Sequence, residues 1–378
     1  MPKTPELPSL KKAKLLKGKR VLLRLDLNVP EDGETILDDT RLWKALPTLQ
    51  YLKKAGARTI VISHFGSDGA KSLKPVARRL SKMISVGFVP ALSGPTVEKA
   101  VAELKNGGIL VLENLRRDDG ESKNRTFFAL SLARLADYYV NDAFSASHRA
   151  HASIVSLPKL LPSYIGLQFE KEIKELSSAF VPKRPFLVIL GGAKLSTKLP
   201  LIKKYLKIAD HVYVAGALAD PFFKAWGFEI GKSLSDDAGE DLITLLKHKK
   251  LLLPEDVVVD EGVVRRIDEV KKKETIRDIG PDSLQALLGL VSRSKTILMN
   301  GPLGYYELGY NKPTEELLRA IARSKAHSIV GGGDTLALIT KLNLGSKFSF
   351  VSTAGGAMID FLSTGTLPGI EALNASKS

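Results

Sequence analysis

Residues 185–200 read PFLVILGGAKLSTKLP. The run 186–190 is apolar without a break, which predicts a strand buried on both faces. Gly191-Gly192 lets the backbone turn sharply. Lys194 and Lys198 follow at a spacing that one helical turn aligns. A strand, a glycine turn and a helix start with two cations offer free N–H groups beside two ammonium groups. That arrangement suits an anion, and phosphate above others. The same stretch also fits a plain chain reversal with two surface lysines, so the rest of the chain has to decide.

Outward from this stretch, apolar runs alternate with amphipathic ones. Strands are predicted at 21–27, 59–63, 87–89, 109–112 and 138–141, with helices such as 41–55 and 126–136 between them. After Pro185 the rhythm restarts, with strands at 186–190, 212–215, 257–259, 296–299, 328–330 and 348–351. The expected fold is therefore α/β: two doubly wound, Rossmann-like parallel-sheet domains. Residues 169–180, rich in helix formers of mixed charge, read as a linking helix and hinge, and 181–185 as the start of the second domain. No internal repeat or low-complexity tract is present.

A chain of 378 residues agrees with two cores, and 44% apolar with 26% charged residues is a soluble globular composition. The absence of cysteine removes disulfides, thiolate metal sites and a thiol nucleophile. No apolar run approaches the roughly 18 residues of a membrane span. Residues 1–10 contain three prolines and no apolar core of a signal peptide, so a cytoplasmic enzyme is expected. The net charge of +15 raises the question of nucleic acid. Basic clusters such as 247–250 and 271–273 are short, lie beside acidic residues and have no interleaved aromatics. They read as solvated surface, with neither nucleic acid nor membrane as a partner.

Ligands of such sheets bind beyond the carboxyl ends of the strands. In the first half Arg24, Asp26 and Asn28 alternate, so a strand points all three to one side, where Arg24 and Asp26 either pair with each other or serve a ligand. Arg41, His64, Arg116, Arg149 and His151 follow at or near strand ends and form a basic set suited to a phosphate and a carboxylate. The second half has glycine turns at 191–192, 301, 331–333 and 355–356, each after a strand, which read as a phosphate and nucleotide surface. Asp334 is a candidate magnesium ligand, since phosphates supply the other positions; its alternative role is a helix N-cap. Two other nucleotide signatures fail. GFEIGKS at 227–233 has three residues between its glycines where a P-loop has four, and no Gly-x-Gly-x-x-Gly follows a strand.

The motifs VLLRLDLNVP (21–30), DDTRLWKALPTL (38–49), SLKPVA (72–77), LENLR (112–116), YVNDAF (139–144), HRAHAS (148–153), LGGAK (190–194), NGPLG (300–304) and GGGDT (331–335) resemble those of the phosphoglycerate kinases, in that family's order and over nearly the whole chain. The resemblance implies a phosphotransferase with a carboxyl acceptor. It implies reversible phosphoryl transfer between ATP and 3-phosphoglycerate, giving ADP and 1,3-bisphosphoglycerate, in glycolysis and gluconeogenesis. It also implies magnesium as cofactor and a cytoplasmic monomer. By the family pattern Asp26, Asn28, Arg41, His64, Arg116 and Arg149 bind the triose, while Lys194, Lys198, Asn300, Glu307 and Gly331, Gly332, Gly333, Asp334 and Thr335 hold the nucleotide. Arg41, Lys194 and Lys198 are the expected catalytic cations. The expected domains are 1–168 for the triose, 169–180 as the link, 181–362 for the nucleotide, and a tail at 363–378 that returns to the first domain.

The chain also departs from that pattern. After Ser63-His64 the family continues Leu-Gly-Arg-Pro, but here Phe65-Gly66-Ser67-Asp68 follows, so Ser67 stands where an arginine helps to hold the triose phosphate. Arg117 and Lys71 are nearby substitutes. Ser145 replaces a usual glycine, Ala215-Gly216-Ala217 is poorer in glycine, and Ala354 replaces the glycine before Gly355.

Overall fold

The structure, a computed structural model, describes residues 7–14, 16–235 and 242–376. The chain divides into two compact units, Lys3–Lys174 with Thr364–Ser378, and Glu175–Ser363. No helix among the described residues is long and apolar enough to cross a membrane.

The first unit is built on β1 (Arg20–Leu25), β4 (Arg58–Ile62), β5 (Gly87–Phe88), β6 (Ile109–Val111), β7 (Tyr138–Asp142) and β8 (Ser163–Ile165), with a small hairpin of β2 (Glu31–Asp32) and β3 (Thr35–Ile36) outside the sheet. The sheet order is β5-β6-β4-β1-β7-β8, all parallel. Leu23 and Val61 face one core with Leu42, Leu49 and Leu80; Leu22 and Ile60 face the other with Val97, Leu132 and Tyr139. Successive residues thus enter opposite cores, which is why these strands are apolar throughout. Because β1 lies between β4 and β7, the winding reverses beside it and the strand ends leave a crevice there. Helix Pro368–Ala375 belongs to this unit: Gly369 N–H donates to Ser147 O at 2.9 Å, and a Cβ on Gly369 would lie 2.8 Å from the Ser147 side chain.

The second unit contains β9 (Phe186–Leu190), β10 (His211–Val214), β11 (Leu251–Leu252), β12 (Asp256–Val258), β13 (Val264–Arg266), β14 (Asp278–Ile279), β15 (Thr296–Asn300), β16 (His327–Gly331) and β17 (Phe350–Ser352). A parallel sheet runs β11-β10-β9-β15-β16-β17, and a separate antiparallel sheet runs β13-β12-β14.

Several boundaries differ from the sequence expectation, each for a local reason. The segment expected as a parallel strand at 257–259 is instead β12 of the small antiparallel sheet, and β11 takes the edge of the large one. Asp256 anchors that segment by accepting from Ser283 N at 2.8 Å and Asp282 N at 3.1 Å at the start of helix Pro281–Arg293. β1 stops at Leu25, not at 27, because Leu27 N–H turns to Ser63 Oγ at 3.0 Å. The linking helix is Leu167–Ser177 followed by a 3₁₀ turn, Ser178–Phe180. It begins early because Thr48 Oγ1 and Asp142 Oδ1 accept from Leu167 N and Phe169 N at 3.0 and 2.8 Å, satisfying first-turn donors. Gly227 of the rejected P-loop lookalike closes helix Asp220–Trp226 in a left-handed conformation.

Candidate active site

At the carboxyl edge of the first sheet, Arg24 does not pair with Asp26. Buried at the end of β1, it donates from Nε to Ser153 Oγ at 3.0 Å, from Nη1 to Leu25 O, and from Nη2 to His64 Nδ1 at 3.1 Å. Arginine can only donate, so His64 accepts at Nδ1 and its proton resides on Nε2. Burial lowers the His64 pKa well below the usual imidazole value, and Arg24, Arg116 and Arg149 add to this against the opposing pull of Asp26. Asp26 lies beyond the strand and pairs with Arg41 Nη1, at 2.7 and 2.9 Å to its two oxygens. Asn28 Oδ1 accepts from Gly66 N at 2.9 Å.

Arg116 Nη1 donates to Gly66 O, and Arg149 Nε stands 3.3 Å from His148 Nε2. Burial and then the charges of Arg149 and Arg24 lower the Arg116 pKa. Burial with the same cations pushes His151 down to about 4. The structure thus brings the charges of Arg24, Arg116 and Arg149 close enough to repel one another beside neutral His64 and His151, and an anion is the ligand that relieves this.

The loop carrying Ser67 is held firmly. Asn114 accepts from Phe65 N at 3.0 Å and donates to Phe65 O and Lys71 O at 2.6 and 2.8 Å; Glu113 accepts from Ser72 Oγ at 2.7 Å and Leu73 N at 2.8 Å. These bonds are the structural use of the LENLR and SLKPVA motifs. Ser67 is exposed, and Asp68 accepts locally from Ala70 N at 3.0 Å. The two nearby substitutes for the missing arginine are engaged, Lys71 with Glu31 at 2.6 Å and Arg117 with Glu113 at 3.4 Å.

In the second unit the four glycine turns follow β9, β15, β16 and β17, neighbours in one parallel sheet, so they share one edge. Close backbone approach explains the residue type. A Cβ on Gly191 would lie 1.9 Å from Pro302 O, and one on Gly301, whose φ is +91°, 2.3 Å from Gly191 O. Lys198 Nζ sits beneath these turns, donating to Gly191 O and lying 3.5 Å from Asn300 O. Burial lowers its pKa to about 8, with Asp334 pulling the other way. Lys194 is not aligned with it: the helix Leu195–Ile208 starts after Lys194, which is extended and exposed, whereas Lys198 is buried. Asn300 is buried against Met358.

The Gly331-Gly332-Gly333 turn leads into helix Gly333–Lys341. Its N-cap is Gly332, so Asp334 is not the cap; it lies in the first turn. Burial raises the Asp334 pKa, the charge of Glu307 raises it further, and Lys198 opposes both. A partly buried carboxylate whose charge burial and Glu307 oppose suits magnesium, which needs only one or two protein carboxylates when phosphates complete its shell. Among the described residues no group of three or more acidic or histidine side chains converges on one point. Thr335 Oγ1 is buried without a hydrogen-bond partner.

A cavity of about 180 Å³ opens from these turns, lined by Gly192, Gly216 and Asp334 together with apolar Phe223, Val257 and Ile276. It also contains residues that the sequence reading did not single out, Asp220 and Asp278, whose carboxyl groups burial pushes up to about 8 and about 7. Buried Glu121, which accepts from Ser153 Oγ at 2.6 Å and Ser153 N at 2.9 Å and so steadies the partner of Arg24, was equally silent. The surrounding DDGES reads as an exposed loop. The isolated acid in ALADPFF was the one available signal for Asp220.

The phosphoglycerate kinase family model matches residues 10–365. The chain is 40% identical to a phosphoglycerate kinase of Fervidobacterium nodosum, over 96% of this chain and 97% of the relative. It is 41% identical to one of Moorella thermoacetica, over 95% and 97%. The structure of phosphoglycerate kinase from Coxiella burnetii superimposes with a TM-score of 0.85 at 36% identity, covering 98% of this chain and 99% of that one. That from Pyrococcus horikoshii gives 0.87 at 31%, with the same coverage.

Proposed function

The chain belongs to the phosphoglycerate kinase family, and from that premise we propose how its own residues carry the reaction. It is a phosphotransferase of glycolysis that moves a phosphoryl group reversibly between ATP and the carboxylate of 3-phosphoglycerate, giving ADP and 1,3-bisphosphoglycerate. The acceptor domain is residues 1–168 with the returning tail 363–378, the donor domain 181–362, and the link 169–180. The observation that carries the acceptor assignment is the set of basic side chains at the first sheet edge, Arg24 on His64 and Arg116 on the loop carbonyl of Gly66, where burial and then the arginine charges keep His64 and His151 neutral.

The acceptor is already ionised at neutral pH, so the site needs no general base. It needs charge neutralisation and in-line placement of two anions that repel each other. Arg116, Arg149 and the Nε2–H of His64 bind the anionic groups of the triose, and Asp26 and Asn28 shape the site around Arg41. On the donor side, N–H groups at the starts of helices Leu195–Ile208 and Gly333–Lys341 receive the nucleotide phosphates, with Lys198 beneath the turns and Thr335 Oγ1 a ready donor. Arg41 and Lys194 neutralise the phosphoryl group in transit. Asn300 and Glu307 complete the nucleotide site, and the apolar lining of the cavity fits a base. Asp334, with Glu307 beside it, would hold magnesium, which when bound neutralises phosphate charge. As the family pattern implies, the enzyme works as a cytoplasmic monomer.

A coupled assay for ATP consumption tests the reading. The expected result is ADP formation that depends on 3-phosphoglycerate and magnesium, with Asp334→Ala needing more magnesium for half activity. ATP consumption indifferent to 3-phosphoglycerate would sink the acceptor assignment; an unchanged magnesium requirement in Asp334→Ala would sink the metal assignment.

A further inference from the structure

Asp26 is saturated before any substrate arrives. Its Oδ1 accepts from Arg41 Nη1 at 2.9 Å and from Asn28 N–H at 3.1 Å. Its Oδ2 accepts from Arg41 Nη1 at 2.7 Å and from the hydroxyl of Ser145. Two hydrogen bonds on each oxygen fill the roughly four acceptor positions of a carboxylate. Burial opposes its charged form, but Arg41, Ser145 and Asn28 outweigh burial and hold the pKa below the usual aspartate value. At neutral pH Asp26 is therefore an acceptor only.

3-Phosphoglycerate carries two anionic groups and one hydroxyl, and an ionised carboxylate can accept only from the hydroxyl. Of the present partners of Asp26, Asn28 contributes its backbone and Arg41 a charged group that is costly to withdraw from a largely buried pair. Ser145, half-buried in the turn Phe144–Ala146, contributes a hydroxyl of the same kind as the substrate's. Where the family pattern has glycine, this acceptor position stays open.

We propose that Ser145 is a specificity-determining residue: its hydroxyl occupies the position on Asp26 that the hydroxyl of 3-phosphoglycerate would take, so this enzyme selects only weakly for that hydroxyl. The inference rests on the placement of Asp26 in the acceptor site. When substrate binds, one O–H···O⁻ bond replaces another, and the exchange yields little net affinity. With Ser145 truncated, the substrate hydroxyl would satisfy an otherwise open position and its contribution would become visible.

The test is calorimetric titration of 3-phosphoglycerate and of 3-phosphooxypropanoate, the same molecule without its hydroxyl, into the full-length protein and its Ser145→Ala variant. The unaltered protein is expected to prefer the hydroxylated ligand by no more than about threefold, and Ser145→Ala by about tenfold or more, the scale of one hydrogen bond to a charged group. Ser145→Gly, in which the turn keeps its freedom, should behave like Ser145→Ala. An unchanged ratio in both variants, or equal loss of both ligands, overturns the proposal. So does a preference of tenfold or more in the unaltered protein. Asp26→Asn separates this failure from that of the underlying reading. If Asp26→Asn alters neither affinity, Asp26 is not in the acceptor site; if it weakens 3-phosphoglycerate while the Ser145 ratio stays fixed, only the proposal about Ser145 fails.

Discussion

On the proposed reading the carboxyl edges of the two parallel sheets face the same chemical task, holding a phosphorylated anion, and solve it with different parts of the chain. The first edge uses side chains from separate segments, each oriented by a neighbour: Arg24 by Ser153, Arg41 by Asp26, Arg116 by the loop carbonyl of Gly66. The second edge uses backbone, brought so close by glycine that a Cβ at residue 191 would meet Pro302 O at 1.9 Å, with one buried lysine beneath. The contrast teaches that one sheet topology supplies only the crevice. On that reading the guanidinium set lacks one member at Ser67, while on the second edge an added Cβ would collide with backbone at Gly191 and Gly301 but would meet open space at Gly333 and Gly355.

Removal of the exposed charge on the backbone-rich side should have the largest effect. Lys194 is exposed and extended ahead of its helix, apart from the anchored Lys198. Lys194→Ala is expected to lower turnover by about a hundredfold or more while substrate affinities change little, the signature of an interaction made in the transition state. Steady-state kinetics check this, and near-native turnover would remove Lys194 from the reaction.

The next effect sharpens the side-chain half. Lys71 and Arg117 pair with Glu31 and Glu113, so filling in for the arginine missing at residue 67 would mean leaving these partners. Ser67→Arg should lower the Michaelis constant for 3-phosphoglycerate by about tenfold, as one charged hydrogen bond to phosphate is worth about 1.5 to 3 kcal/mol. The constant for ATP should stay put. No change in the triose constant would mean that another cation already serves this phosphate.

The smallest effect distinguishes the two halves by pH. The Lys198 ammonium, whose pKa burial lowers to about 8 against Asp334, loses its charge as pH rises through that value. Guanidinium groups do not deprotonate in this range. Between pH 7 and pH 9 the Michaelis constant for ATP should rise by about threefold or more while that for 3-phosphoglycerate holds. Equal rises in both constants would break the contrast.

How much of this the sequence reveals follows from the same difference. The buried strands were legible because parallel strands covered on both faces are apolar throughout, as in 186–190. The glycine turns were legible because position after a strand and residue type together specify them. What the sequence hid were pairings decided by tertiary approach. Arg24 and Asp26 are near neighbours in sequence, yet each takes a partner from elsewhere, Ser153 and Arg41. Segment 257–259 has strand composition, but Asp256 ties it to the helix start at Ser283 and hence to another sheet. Helical spacing suggested that Lys194 and Lys198 stand together; the helix begins one residue too late for that.

The central claim, that acceptor and donor are held by separate sheet edges with different means, is tested most directly by calorimetric titration of 3-phosphoglycerate and of magnesium-ATP into Arg149→Ala and Lys198→Met. Arg149→Ala should weaken 3-phosphoglycerate by about tenfold or more and leave ATP within about twofold. Lys198→Met should weaken ATP and leave 3-phosphoglycerate unchanged. Weakened ATP in Arg149→Ala, or weakened 3-phosphoglycerate in Lys198→Met, would contradict the division of labour between the two edges.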